Sequence, residues 1–230
     1  MDSNDNILDC SKCMLKDDTF SDLRNEEFEM INKNRLEVRF SKDEVICKQG
    51  SFASHIIYLK KGLIKLYLEG RDKNLILRIE TAGCFLCLPS LFQDNVFHYS
   101  AAAYEDSEVC MIDRNVFQRI VENNAAFASK IIKIINHDTL LSYDRIFCLT
   151  QKQLPGRFAD ILLCLSNRIY KSDSFELTLS RKDIAESPGM SVESLSRLIK
   201  DFNQHGIIHI SGRKLQILNM EILHRISDKG

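Results

Sequence analysis

Apolar residues keep three different rhythms along this chain. From Leu36 to Ile112 they tend to alternate with polar ones, and turns fall at Lys60-Lys61-Gly62 and Glu69-Gly70-Arg71-Asp72. Val45 with Cys47, Ile56 to Leu59, Leu63 to Leu68, Leu75 to Ile79, Tyr99 to Ala103 and Glu108 to Ile112 read as strands, and Leu88 to Phe92 as a short helical turn. Period two between glycine-bearing turns predicts an antiparallel roll or small sandwich, whose mouth can hold a ligand. A helix over Ser21 to Asn32 precedes it, with Leu23, Phe28 and Ile31 on one side.

After Asp113 the period lengthens. Val116, Phe117, Ile120 and Val121 mark one helix, and Asn123-Asn124 break it. From Ala125 to about Leu149 a second helix would run roughly 38 Å at 1.5 Å per residue. Phe127, Ile131, Ile134, Asp138, Leu141, Arg145 and Cys148 recur in alternating steps of four and three. That spacing predicts a seam meeting a second subunit, with Ile132 and Ile135 widening the stripe. Periodicity alone fits a helix packed inside one subunit equally well.

The third rhythm is one of short elements. Thr150 to Leu154 reads as a hinge, and Pro155-Gly156 supports a boundary there. Phe158 to Tyr170 is helical, Phe175 to Leu179 a strand, Ile207 to Leu218 a hairpin with Ser211-Gly212 at its tip, and Met220 to Ile226 a last helix. Between them lie two short helices joined at Pro188-Gly189. Ser180 is the first N-cap, with Asp183 at N3 completing a capping box. Pro188 biases Ser187 away from the helical region, and Gly189 tolerates the left-handed backbone of a tight turn. Ser191 is the second cap. Leu195, Leu198 and Phe202 point inward, leaving Val192, Glu193, Ser196, Arg197 and Lys200 on the other face. An apolar contact, a carboxylate, a hydroxyl and a guanidinium together suit the reading of base edges. Two helices followed by a hairpin form the layout of a winged helix-turn-helix, whose second helix enters the major groove. The fold class is therefore α+β: an antiparallel β-roll, a long dimerisation helix and a C-terminal winged helix-turn-helix. The segments expected are 1–24 (N-terminal), 25–124 (roll), 125–150 (helix) and 151–230 (DNA binding).

Charge sharpens this picture. Of 31 basic and 32 acidic residues, the last 80 positions hold 12 and 9, net +3, leaving net -4 for the first 150. The excess of positive charge falls where the DNA reader is expected. Lys200, Arg213 and Lys214 are the candidates for phosphate contacts, which position without specifying. Eight cysteines behind an acidic N-terminus without a signal peptide point to a reducing cytoplasm. No apolar run is long enough to span a membrane. No glycine-rich phosphate loop, H-E-x-x-H or nucleophile elbow suggests an enzyme.

Arg181-Lys182-Asp183-Ile184-Ala185 through Gly189 to Glu193-Ser194-Leu195-Ser196-Arg197, with Tyr58-Leu59-Lys60-Lys61-Gly62-Leu63-Ile64-Lys65 and Ser107-Glu108-Val109-Cys110, resembles the Crp/Fnr family of transcription regulators over nearly the whole chain. The resemblance places base contacts on Val192, Glu193, Ser196 and Arg197, with Ser191 beside them, in the pattern of the Fnr branch. It implies a homodimer on double-stranded DNA, at half-sites resembling TTGA and TCAA about one helical turn apart, acting on RNA polymerase. The other function class is a redox or ligand sensor acting through protein partners without specific DNA reading.

For the effector the resemblance gives a contrast. The family's cyclic-nucleotide binders hold ribose with a Gly-Glu pair and phosphate with an Arg-Ser pair. Those positions read Cys87-Leu88, just after Leu86, and Tyr99-Ser100. A buried phosphate without a guanidinium is costly, so cyclic AMP is not expected. Cys10, Cys13 and Cys110 match three of the four cysteines that hold the Fnr branch's iron–sulfur cluster, while Thr19 stands at the fourth position. Thiolates so spaced can share a cluster or a zinc ion, with Cys84, Cys87 or Cys47 as a fourth ligand. Haem on His55, His98 or His137 is a further alternative, as is the absence of any effector.

Overall fold

A computed structural model describes residues Asp18–Gly230. The chain forms two compact units: residues up to Leu63 with Thr81–Leu140, and Ile64–Glu80 with Leu141–Gly230.

The first unit holds helix α1 (Asn25–Lys33) and strands β1 (Arg35–Phe40), β2 (Val45–Cys47), β3 (His55–Lys61), β6 (Cys84–Leu86), β7 (Ser100–Ala103) and β8 (Ser107–Asp113), then α2 (Arg114–Asn123) and the start of α3 (Ala125–Gln151). One antiparallel sheet has the order β1-β8-β3-β6. Its register sets Cys110 opposite Glu37 on one side and Tyr58 on the other. β2 pairs with β7, Val45 opposite Ala102. Ile56 to Leu59 of β3 are all buried, so this strand has both faces covered and reads as a continuous apolar run. Just after β3, Gly62 has φ 109°, and a Cβ there would lie 2.2 Å from Ser107 Oγ, so only glycine fits.

The core of this unit is aromatic. Phe85 packs on Tyr58 at 5.0 Å and on Phe117 at 5.4 Å, Phe117 on Phe127 at 5.5 Å, and Phe20 joins Tyr58 at 5.1 Å. The expected helix at Ser21 begins later, at Asn25, because Ser21 Oγ donates to the Asp18 carbonyl instead of capping. There the Glu27 carboxylate accepts from the Arg24 N–H at 2.8 Å and from its guanidinium Nε at 3.0 Å. Asn124 caps α3 through the Phe127 N–H, and its amide donates to Glu27 and to the Asp22 carbonyl. Burial raises the Glu27 pKa, but the Arg24 hydrogen bonds and Asn124 outweigh it and hold the carboxyl below its ordinary value.

The second unit contains strands β4 (Leu63–Leu68, from Ile64 onward) and β5 (Leu75–Thr81, up to Glu80), the end of α3, then α4 (Leu154–Cys164), β9 (Ser174–Glu176), α5 (Arg181–Glu186), α6 (Val192–Gln204), β10 (Ile208–Ser211), β11 (Lys214–Ile217) and α7 (Met220–Lys229). The small sheet has the order β10-β11-β9. Phe158 of α4 meets Phe202 of α6 with ring centroids 5.2 Å apart, among buried Leu162, Leu195, Leu215 and Leu223.

The break between α3 and α4 is Lys152–Gln153, within the expected hinge of Thr150 to Leu154; Pro155 sits in the first turn of α4, where a missing N–H costs nothing. Past Cys164 the helix widens into a π-turn over Leu165–Tyr170. One expectation is corrected: the predicted seam of α3 does not face outward. Phe127 and Ile131 lie in the first unit's core, Cys148 is buried, and Arg145 donates to the Ile76 and Ser187 carbonyls. The exposed apolar side chains are Ile132, Leu140, Tyr143, Ile146 and Phe147, on the opposite side of the same helix.

Candidate nucleic-acid interface

The helix-turn-helix is built by its caps. Ser180 Oγ accepts from the Asp183 N–H at 3.1 Å while the Asp183 carboxylate accepts from the Ser180 N–H at 3.3 Å. Gly189, φ 70°, turns the chain after α5, and Ser191 Oγ accepts from the Ser194 N–H at 3.1 Å to start α6. Leu195, Ile199 and Phe202 anchor α6 in the core, with Leu198 only half-buried. Ile199 takes the inward role that helical spacing gave to Leu198.

The other face of α6 is open. Ser191, Val192, Glu193, Ser196, Arg197 and Lys200 are all exposed. Neither the Glu193 nor the Arg197 side chain has a hydrogen bond or ion pair among the described residues. Their charged ends are thus available to a base edge. Ser196 Oγ donates to the Val192 carbonyl at 2.8 Å, which leaves the oxygen free to accept. Ser191 is chiefly a cap. Arg213 and Lys214 are exposed at the β10–β11 turn, where Gly212 has φ 59°. The Arg213 guanidinium already donates to the Leu177 carbonyl at 2.9 Å and the Thr178 carbonyl at 3.3 Å, so it ties the wing to the segment just after β9. Exposed Arg181 and Lys182, in the first turn of α5, are further cations on this unit that helical spacing alone did not single out.

The candidate effector residues do converge. The Cys87 N–H donates to Tyr99 Oη at 2.7 Å, and Ser100 Oγ accepts from the Gln49 N–H at 2.9 Å. Leu86, Cys87, Leu88 and Ser100 are buried. Cys87 has φ 72°, the left-handed backbone a glycine would adopt freely. Its Sγ lies 3.9 Å from Cys47 Sγ, and burial, reinforced by Cys47, pushes the Cys87 thiol well above its ordinary pKa. Such a thiol is a packing group rather than a nucleophile.

Cys110 is also buried. Burial raises its thiol, against the pull of Arg35, whose Nη1 is 3.9 Å from Sγ. Cys10 and Cys13 lie outside the described residues. Among the described residues no three Cys, His, Asp or Glu form a metal-holding group, so Cys47, Cys84 and Cys87 do not gather around Cys110. The described donors alone therefore do not fit a cluster or zinc. His55 Nδ1 is 2.8 Å from Ser54 Oγ, His98 Nε2 is 3.1 Å from Asp94, and His137 is exposed on α3.

Fold and reading helix define a DNA-binding regulator of the winged-helix class. Residues 37–124 match the cyclic nucleotide-binding domain family and residues 156–226 the Crp-like helix-turn-helix domain family. The chain belongs to the Crp/Fnr family of transcription regulators. It is 26% identical over 192 residues to Electron transport regulator A of Shewanella oneidensis, spanning 81% of this chain and 76% of that protein. It is 26% identical over 194 residues to the Fumarate and nitrate reduction regulatory protein of Yersinia pestis, with 81% and 76% covered. The solved structure of FixK2 from Bradyrhizobium japonicum shares the fold, with a TM-score of 0.75 at 23% identity over 84% of this chain and 96% of that one. No helix among the described residues is long and apolar enough to cross a membrane.

Proposed function

We propose that this regulator binds double-stranded DNA as a homodimer, at a palindrome of TTGA and TCAA half-sites, and thereby recruits or blocks RNA polymerase in the cytoplasm. Residues 25–124 serve as the sensory domain, 125–150 as the dimerisation helix and 151–230 as the reader. The observation that carries this is the pairing of unengaged Glu193 and Arg197 on the exposed face of α6. Arg197 can donate twice to guanine and Glu193 accept from a cytosine or adenine amino group. Val192 supplies apolar contact and Ser196 a hydroxyl. Lys200 and Lys214 neutralise phosphates, and Arg213 braces the wing. The exposed stripe on α3 supplies a surface for the second subunit.

The signal is a redox one rather than cyclic AMP. Leu88 and Tyr99 stand where a ribose-binding carboxylate and a phosphate-binding guanidinium would be, and the nearby polar atoms are already bonded to one another. The relatives named for electron transport and for fumarate and nitrate reduction support the same reading. An iron–sulfur cluster drawing on Cys10, Cys13 and Cys110 would lack a fourth ligand, since Thr19 stands at that position and no other described cysteine gathers around Cys110, so the redox reading does not depend on one.

A mobility-shift titration with the TTGA/TCAA duplex and a scrambled one tests the DNA reading. Specific binding whose affinity falls steeply with salt is expected. Equal affinity for both duplexes refutes it.

A further inference from the structure

Strands β4 and β5 belong to the same compact unit as the helix-turn-helix, although Lys65 and Asp183 are 118 positions apart in sequence. Three cations make the attachment. Lys65 Nζ lies 2.5 Å from Asp183 Oδ1, with the two side chains only 20% and 11% exposed. The same ammonium sits 5.6 Å from the Tyr67 ring centroid. Arg145 of α3 donates to the Ile76 carbonyl of β5 at 2.9 Å and to the Ser187 carbonyl just past α5. Arg168 donates to the Ile79 carbonyl at 2.5 Å and lies 4.0 Å from Glu80.

Asp183 completes its capping box with Ser180 without any help from Lys65. The ammonium is therefore an addition that local helix chemistry does not require. Removing one partner of a mostly buried ion pair strands a desolvated charge, so losing Lys65 costs more than losing one partner of a surface pair. Both ends of α5 are pinned: its first turn through Asp183 and its end through Ser187. Glu193 and Arg197 nevertheless stay exposed on α6. The arrangement fixes the orientation of the reading helix without covering it.

We propose that Lys65 and Arg145 are positioning residues for DNA reading: they clamp α5 to the β4–β5 hairpin and to α3, so that the two reading helices of a dimer keep the separation the half-sites require. This rests on the palindrome reading above. The clamp also gives the hairpin a route to α5 that does not depend on the Lys152–Gln153 break.

Fluorescence anisotropy with a palindromic duplex and a single half-site duplex tests it, on the full chain carrying Lys65→Met or Lys65→Arg. Lys65→Met weakens palindrome binding by roughly fivefold or more, in the range of ordinary coupling between sites, and leaves half-site affinity unchanged. Lys65→Arg, which keeps the charge, restores the palindrome to within about twofold. Wild-type affinity of Lys65→Met for both duplexes overturns the proposal. So does an equal loss on both, which would mean damage to the reading helix itself. Should Lys65→Met fail to fold, Asp183→Asn keeps an acceptor for the cap while removing the charge, and the same comparison decides. A wild-type chain that ignores the palindrome sinks the DNA reading and the clamp with it; the variant arms sink the clamp alone.

Discussion

Replacing Phe147 by Ser tests whether the exposed stripe of α3 is where two subunits meet. Ile132, Leu140, Tyr143, Ile146 and Phe147 are each 57–62% exposed. Fully burying a side chain of this size stabilises by about 1.5–3 kcal/mol, so covering the exposed part of Phe147 contributes roughly 0.9–1.8 kcal/mol. A two-fold interface buries each residue twice, so the substitution removes about 2–3.5 kcal/mol from association. At 1.4 kcal/mol per decade, the dimer dissociation constant rises roughly 20- to 300-fold. Five such residues per subunit give a gross gain on the order of 9–18 kcal/mol against an association cost of about 4–15 kcal/mol, so losing one aromatic pair is enough to matter. Sedimentation velocity over a concentration series reads the constant directly. Phe147 is exposed, so the thermal midpoint of the monomer should stay in place, whereas Ile131→Ser, in the core, should lower it. An unchanged dimer constant for Phe147→Ser would show that the subunits meet elsewhere or not at all.

Further predictions follow from the same contacts. Arg197→Ala should cost about 1–3 kcal/mol at the guanine step and relax specificity there; an unchanged ratio of operator to scrambled DNA would clear Arg197 of that role. Burial raises the Asp183 pKa, but the Lys65 and Ser180 hydrogen bonds override it and hold the carboxyl low. With the folded pKa depressed, its stabilisation is complete above the unfolded value of about 3.9 and is lost as pH falls through the folded value. Thermal stability of Asp183→Asn should therefore approach that of wild type in acid; a gap independent of pH refutes the linkage. Glu27 and Glu37 carry shifts of the same sign but remain in both proteins, so the difference isolates Asp183. Because no other described cysteine gathers around Cys110, anaerobically purified protein should be colourless and free of iron and zinc; visible absorbance with bound iron would overturn that expectation. Titration calorimetry should show no tight cyclic AMP binding; a strong exothermic isotherm would reverse that reading.

Local chemistry made much of the C-terminal region legible in the sequence. A Ser cap, an Asp three positions on, Gly189 at a positive φ and a 3.6-residue period involve only near neighbours along the chain. The two helices and the outward face of Glu193 and Arg197 follow from these contacts. Ser191 could be read as a cap for the same reason. The alternation of the strands likewise foretold the antiparallel sheet, except that β3, covered on both faces, gave a solid apolar run.

Tertiary structure alone decided which side of α3 faces inward. Ile131 and Ile132 are adjacent in sequence and about 100° apart around a helix of 3.6 residues per turn, so one periodic pattern carries two apolar stripes. The one that finds Phe117 and the roll is buried, and the other is left bare. In the same way, the sequence placed an acid at N3 of a short helix, but could not show that a lysine 118 positions earlier neutralises it. An N-cap is set by residues three apart, whereas an ion pair between distant segments exists only once the chain has brought them together.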